Sequence, residues 1–94
     1  MPFENHGSRS FTAISVDKNA PAASGVYGLS SASQWVYIGE AADIHAELLA
    51  HLRHPGELLR TYAPSGFTFE LSPAGQRAAR QIQLVQELEP IGNL

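Results

Sequence analysis

Cysteine is absent from the 94 residues, so neither a disulfide framework nor a thiolate metal centre can hold the chain together. Lysine occurs once, and lysine plus arginine total 6 against 9 acidic residues, a net charge of −3 with histidine neutral. Surfaces that grip a nucleic-acid backbone neutralise several phosphates with basic side chains, so this balance disfavours nucleic acid as a partner. No apolar run approaches the ~18 residues of a membrane span, and the first ten residues lack the apolar core of a secretory signal. The expectation is a soluble cytoplasmic protein without a membrane partner. Charged residues are scarce as well, at 16%, but 44% of the chain is hydrophobic, enough to pack a core and to argue against disorder.

A chain this short buries only ~60–65% of its unfolded surface, so one core and one domain are expected. Residues 1–10 are polar and without periodicity, and read as a flexible N-terminal arm ahead of a single domain over residues 11–94. Residues 11–16 alternate in the manner of a short or edge strand, and residues 17–24, with Pro21 among small side chains, read as a loop. Two β-prone runs, residues 25–30 and 34–39, flank Ser31-Ala32-Ser33 and form an antiparallel hairpin. Asp43 then caps a helix to about Arg53 with the apolar stripe Ile44, Leu48, Leu49 and Leu52, stopped by Pro55-Gly56. A short helix over residues 57–62 and a strand over 67–71 follow, with Phe67, Phe69 and Leu71 on one face. Ser72-Pro73 opens a last helix to about Glu89, whose buried face would hold Ala78, Ile82, Leu84, Val85 and Leu88, and Pro90 ends it.

Within the hairpin stand Gly25-Val26-Tyr27, nine residues, then Tyr37-Ile38-Gly39, with an amphipathic helix next and Pro90-Ile91-Gly92-Asn93 after the last helix. This order of parts resembles the GIY-YIG nuclease superfamily over residues 20–94. The resemblance implies an α+β fold: a small three-stranded antiparallel sheet flanked by helices, with room for an extra N-terminal strand. It also implies phosphodiester cleavage by two hairpin tyrosines, an arginine on the first helix and a metal-binding glutamate on the last. A base for the attacking water and positive charge on the phosphate are what that chemistry requires.

Tyr27 and Tyr37 fall on the tyrosine positions, and His51 on a histidine common one helical turn past the arginine. Eight residues beyond Gly39, where the arginine is expected, stands Glu47. Nine residues before Pro90, where the metal-binding glutamate is expected, stands Gln81, whose neutral amide is a poor ligand for a hard divalent cation. Two substituted positions amid retained structural residues imply a degenerate active site. One consequence would be a new ion pair across that site, Glu47 with Arg77 or Arg80, since Arg77 lies four residues before Gln81 on the same helix face.

The leading reading is therefore a catalytically impaired GIY-YIG domain that serves as a binding or structural module and has no cofactor. The first alternative is an active endonuclease on DNA or RNA that requires magnesium or manganese, in which Tyr27, Tyr37 and His51 keep their roles and Glu40, Glu87 or Glu89 supplies a ligand. The second is a protein-interaction module with a protein partner. His45, Glu47, His51 and His54 are the only dense ligand cluster, but a zinc site there is a minor reading, because His54 precedes proline and His45 points elsewhere around the helix. Tyr27 and Tyr37 also have a purely structural reading as a cross-strand aromatic pair. Trp35 reads as a core or rim residue.

Overall fold

A computed structural model describes residue 3 and residues 8–93; most of the expected N-terminal arm lies outside the described residues. The strands are β1 (Arg9–Ser10), β2 (Gly25–Ser30), β3 (Trp35–Ala41) and β4 (Gly66–Leu71). The helices are α1 (Ala13–Asn19), α2 (Ile44–Arg53), α3 (Gly56–Tyr62) and α4 (Arg77–Leu88), and a 3-10 turn covers Ile91–Asn93. All strand pairs are antiparallel and the sheet order is β1-β4-β2-β3. The fold is thus α+β, with the three expected strands adjacent as β4-β2-β3 and a fourth, β1, added on the β4 side. None of the described helices is long and apolar enough to cross a membrane.

Register divides the core into two layers. On one face of the central strand β2, Tyr27 and Leu29 stand opposite Phe69 and Phe67 of β4. They pack with Ile44 and Leu48 of α2, Val16 of α1 and Leu59 of α3. On the other face Val26 and Ile38 pack against Leu84 of α4. Each such side chain removed from water contributes ~1.5–3 kcal/mol, and these two layers carry most of the stabilisation. At the hairpin's turn end the register slips: Leu29 pairs with Tyr37 but Ser30 with Trp35, leaving Val36 as the extra residue of a bulge. The slip turns Trp35 to the α4 side, where its ring stacks on Phe3 with centroids 5.5 Å apart in space left by Gly28.

The helix at Asp43 forms as expected: its carboxylate accepts a 2.9 Å bond from the Ala46 N–H, and the helix runs to Arg53. Other expectations fail. Residues 13–19 are helical, so neither the strand over 11–16 nor a loop starting at 17 exists; Thr12 caps this helix through its hydroxyl, and only Val16 of α1 is buried, while Ile14 is 76% exposed. The added strand lies just ahead, at Arg9–Ser10, against Phe67 and Gly66. A period-2 pattern over six residues is too short to outweigh a capped helical turn.

The last helix starts at Arg77, four residues later than expected. Ser72 is held just beyond the end of β4: its N–H donates to the Ser24 carbonyl and its own carbonyl accepts from the Ser24 hydroxyl at 2.7 Å. The chain then turns on the Pro73 carbonyl, which accepts from both Gln76 and Arg77. Within α4 the side turned to the sheet is Arg77, Arg80, Gln81, Leu84, Val85 and Leu88, whereas Ala78 and Ile82 face solvent. This stripe has helical spacing but is polar in its first half, which is why an apolar template misplaces it. Leu71 keeps the face it shares with Phe67 and Phe69, opposite Gly25, but is 58% exposed at the strand's end.

Candidate functional site

β2 and α2 together place the first candidate residues. Glu47 and His51 stand one turn apart on α2, and Tyr27 points from β2 toward that helix. Gly39, directly across β3 from Tyr27, makes the placement possible: a Cβ there would lie 2.5 Å from both Cζ and Oη of the tyrosine. The ring therefore lies over β3, and its hydroxyl reaches His51 Nε2 at 2.7 Å. Tyr37 joins them, so that three rings form a tilted triangle with centroid separations of 6.3 Å for Tyr27 to Tyr37, 5.6 Å for Tyr27 to His51 and 5.9 Å for Tyr37 to His51.

Burial pushes the Tyr27 phenol well above its ordinary range, and the neighbouring Tyr37 and Glu47 add to the rise. Burial likewise lowers His51 below the ordinary histidine value, with the Glu47 carboxylate opposing that fall. Both shifts favour the uncharged partners, a protonated phenol and a neutral imidazole, and the tautomer of His51 sets which of Oη and Nε2 donates in their 2.7 Å hydrogen bond. Glu47 Oε2 is 3.9 Å from that same Nε2, near enough for a field and too far for a hydrogen bond.

Gln81 lies elsewhere, at the outer edge of β3. Its amide N–H donates to the Ile38 carbonyl at 3.1 Å. Asn93 reaches the same residue from the 3-10 turn, donating to that carbonyl at 2.9 Å and accepting from the Ile38 N–H at 2.8 Å. A side-chain amide here stands in for the peptide unit of a neighbouring strand and satisfies β3's open edge. Gly92 lets the turn approach, since a Cβ there would lie 2.5 Å from the Val36 carbonyl oxygen.

The expected pairing of Glu47 with an arginine of the last helix does not form. Arg77 binds Glu40 at 2.9 Å and the Ser24 hydroxyl at 3.0 Å. Arg80 forks onto Glu70 with bonds of 2.7 and 2.9 Å. Glu40 and Glu70 both register with Val26, one on each side of it, so the two acids sit in one row beneath the start of α4. Sequence reasoning missed these pairs, although the signal existed once β2 was placed between β3 and β4. The histidine cluster also disperses: His45 Nε2 meets Asp17 of α1 at 2.8 Å, His54 is an exposed C-cap, and among the described residues no group of three His, Cys, Asp or Glu could hold a metal. A cavity of ≈ 470 Å3 opens between the end of β4 and α4, lined by Ser72, Gln76 and Gln83 among others, and none of the five candidate residues borders it.

Solved structures share this architecture. One variant of the GIY-YIG N-terminal endonuclease domain of UvrC from Thermotoga maritima, bound to its catalytic divalent cation, is 19% identical with a TM-score of 0.71, covering 84% of this chain and 96% of its own. The same domain bound to magnesium is 20% identical with a TM-score of 0.69 and the same coverage. The chain has the GIY-YIG fold. No protein-family model matches the sequence, and no curated protein matches it either. A shared fold does not carry a shared chemistry, which resides in Tyr27, Tyr37, Glu47, His51 and Gln81 themselves.

Proposed function

We propose that this GIY-YIG domain is catalytically impaired as a cation-dependent nuclease and works as a binding module. The observation that carries the reading is the amide of Gln81 donating to the Ile38 carbonyl. The UvrC domain binds a catalytic divalent cation, and the resemblance assigns the metal-holding carboxylate to position 81. The residues present do not fit such an ion: an amide spent on a backbone carbonyl offers no charge to a hard cation, which selects carboxylate oxygens. Glu47, at the position assigned to an arginine, sets a negative charge where a phosphate would have to approach. Both arginines of α4 are held by Glu40 and Glu70, so neither is free to offset it.

The retained Tyr27 to His51 hydrogen bond favours a second reading, an active endonuclease with a rearranged site. Glu40, one of the acids that reading would recruit as a metal ligand, is bound to Arg77. Incubation of the purified protein with labelled DNA and RNA in magnesium or manganese separates the two. No cleavage is expected. Metal-dependent cleavage that Tyr37→Phe abolishes would overturn the impaired reading.

A further inference from the structure

We propose that Glu47, with the rings of Tyr37 and His51, receives an arginine side chain of a partner protein. The inference rests on the binding-module reading and names its ligand chemistry. The Glu47 side chain is 48% exposed, and its one ion-pairing neighbour among the described residues is His51, at 3.9 Å. Arg77 and Arg80 are committed to Glu40 and Glu70, and among the described residues no arginine or lysine pairs with this carboxylate.

The ring triangle supplies the second element. Tyr27 is buried, whereas Tyr37 and His51 are half-buried with ring centroids 5.9 Å apart, and His51 Nε2 lies 3.9 Å from Glu47 Oε2. A neutral imidazole held by Tyr27 offers a ring surface without a competing positive charge. A guanidinium is planar, weakly hydrated and forked, so it can lie on a ring face while donating two parallel bonds to a carboxylate. An ammonium has the charge without the plane or the fork. A phosphate meets the repulsion of the Glu47 carboxylate, and a divalent metal finds one carboxylate where it needs several hard oxygens.

An NMR titration of the isotope-labelled full chain at low salt tests this, with hexa-arginine as probe and hexalysine, hexaglutamate and single-stranded DNA alongside. Hexa-arginine is expected to shift the resonances of Tyr37, Glu47 and His51 and to bind more tightly than hexalysine. Glu47→Gln should weaken it about tenfold, the order of one charge-assisted contact. Glu57→Gln, which removes the same charge from the exposed start of α3, should leave the affinity unchanged. Equal losses from Glu47→Gln and Glu57→Gln would reduce the effect to net charge and sink the proposal. So would shifts centred away from Tyr37, Glu47 and His51, or hexalysine binding as tightly. DNA rather than hexa-arginine shifting these residues without being cut would overturn the arginine assignment while leaving the binding-module reading standing; DNA cleavage would remove the latter.

Discussion

Tyr27 and Gly39 face each other across the hairpin so closely that the glycine's missing side chain is the space the tyrosine ring occupies. The two halves of the motif are thus one steric unit, and the hydrogen bond to His51 depends on both. Gly39→Ala forces the ring off its position. The expected cost is about 1–3 kcal/mol, the usual range for overpacking a filled core. Urea unfolding should report that loss, and NMR should show the His51 ring released from its Tyr27 partner. A variant with unchanged stability and an unchanged His51 environment would contradict this account.

His51 makes stability depend on pH with a definite sign. Its folded value lies below the ordinary 6.5 because burial disfavours the imidazolium. Between that lowered value and 6.5 the unfolded chain binds more protons, so stability falls as pH drops through this window and gains nothing from His51 above it. An NMR titration of the His51 ring should give a midpoint below 6.5. Glu47→Gln should move that midpoint lower still, since the carboxylate opposes the burial effect. A midpoint raised by Glu47→Gln would reverse the assignment of causes.

Asn93 and Gln81 share the Ile38 carbonyl, but Asn93 alone serves the Ile38 N–H. Asn93→Ala therefore orphans a donor and should cost about 1–3 kcal/mol. Gln81→Ala leaves the carbonyl with a partner and should cost about 1 kcal/mol or less. Amide hydrogen exchange at Ile38 distinguishes the two, accelerating in Asn93→Ala and not in Gln81→Ala. Equal acceleration in both would mean that the edge is protected by something other than these amides.

Arg80 and Glu70 are largely shielded, with side chains 15% and 12% exposed. Removing either charge leaves the other desolvated, so Arg80→Met and Glu70→Leu should each lose on the order of 3 kcal/mol. The double replacement should recover much of that loss, because a shielded ion pair exchanges against apolar side chains at little net cost. Thermal unfolding of the two single variants and the double gives the cycle, and additive losses would show that the pair is not coupled.

The hairpin, the Asp43-capped helix and the third strand are legible in the sequence because their signals are local: paired β-prone runs, a capping side chain and a proline stop. Residues 13–19 were not, since α1 buries a single side chain, Val16, and offers no stripe. The start of α4 was hidden for a different reason. Ser72-Pro73 has the look of a helix opening, yet the bonds of Ser72 to Ser24 are long-range and invisible to local pattern. The resemblance puts Tyr27, Tyr37, Glu47 and His51 on motif positions, and the structure sets the three rings within 6.3 Å of one another with Glu47 3.9 Å from His51. The partners of Arg77 and Arg80 required the strand register, which orders β2 between its two neighbours and so sets Glu40 and Glu70 in line.

That line of acids has a consequence for how the last helix is oriented. Leu84 is the only fully buried side chain of α4, and with half-buried Val85 and Leu88 it anchors the C-terminal half alone, which leaves the N-terminal half without an apolar hold on the sheet. Arg77 and Arg80, less than one turn apart, each engage a different strand on either side of Val26, and together they set both azimuth and position. The same two cations that could have restored attraction for a phosphate are therefore the fasteners of the helix, and freeing one for a ligand would loosen the layer that holds Gln81 and the 3-10 turn against β3.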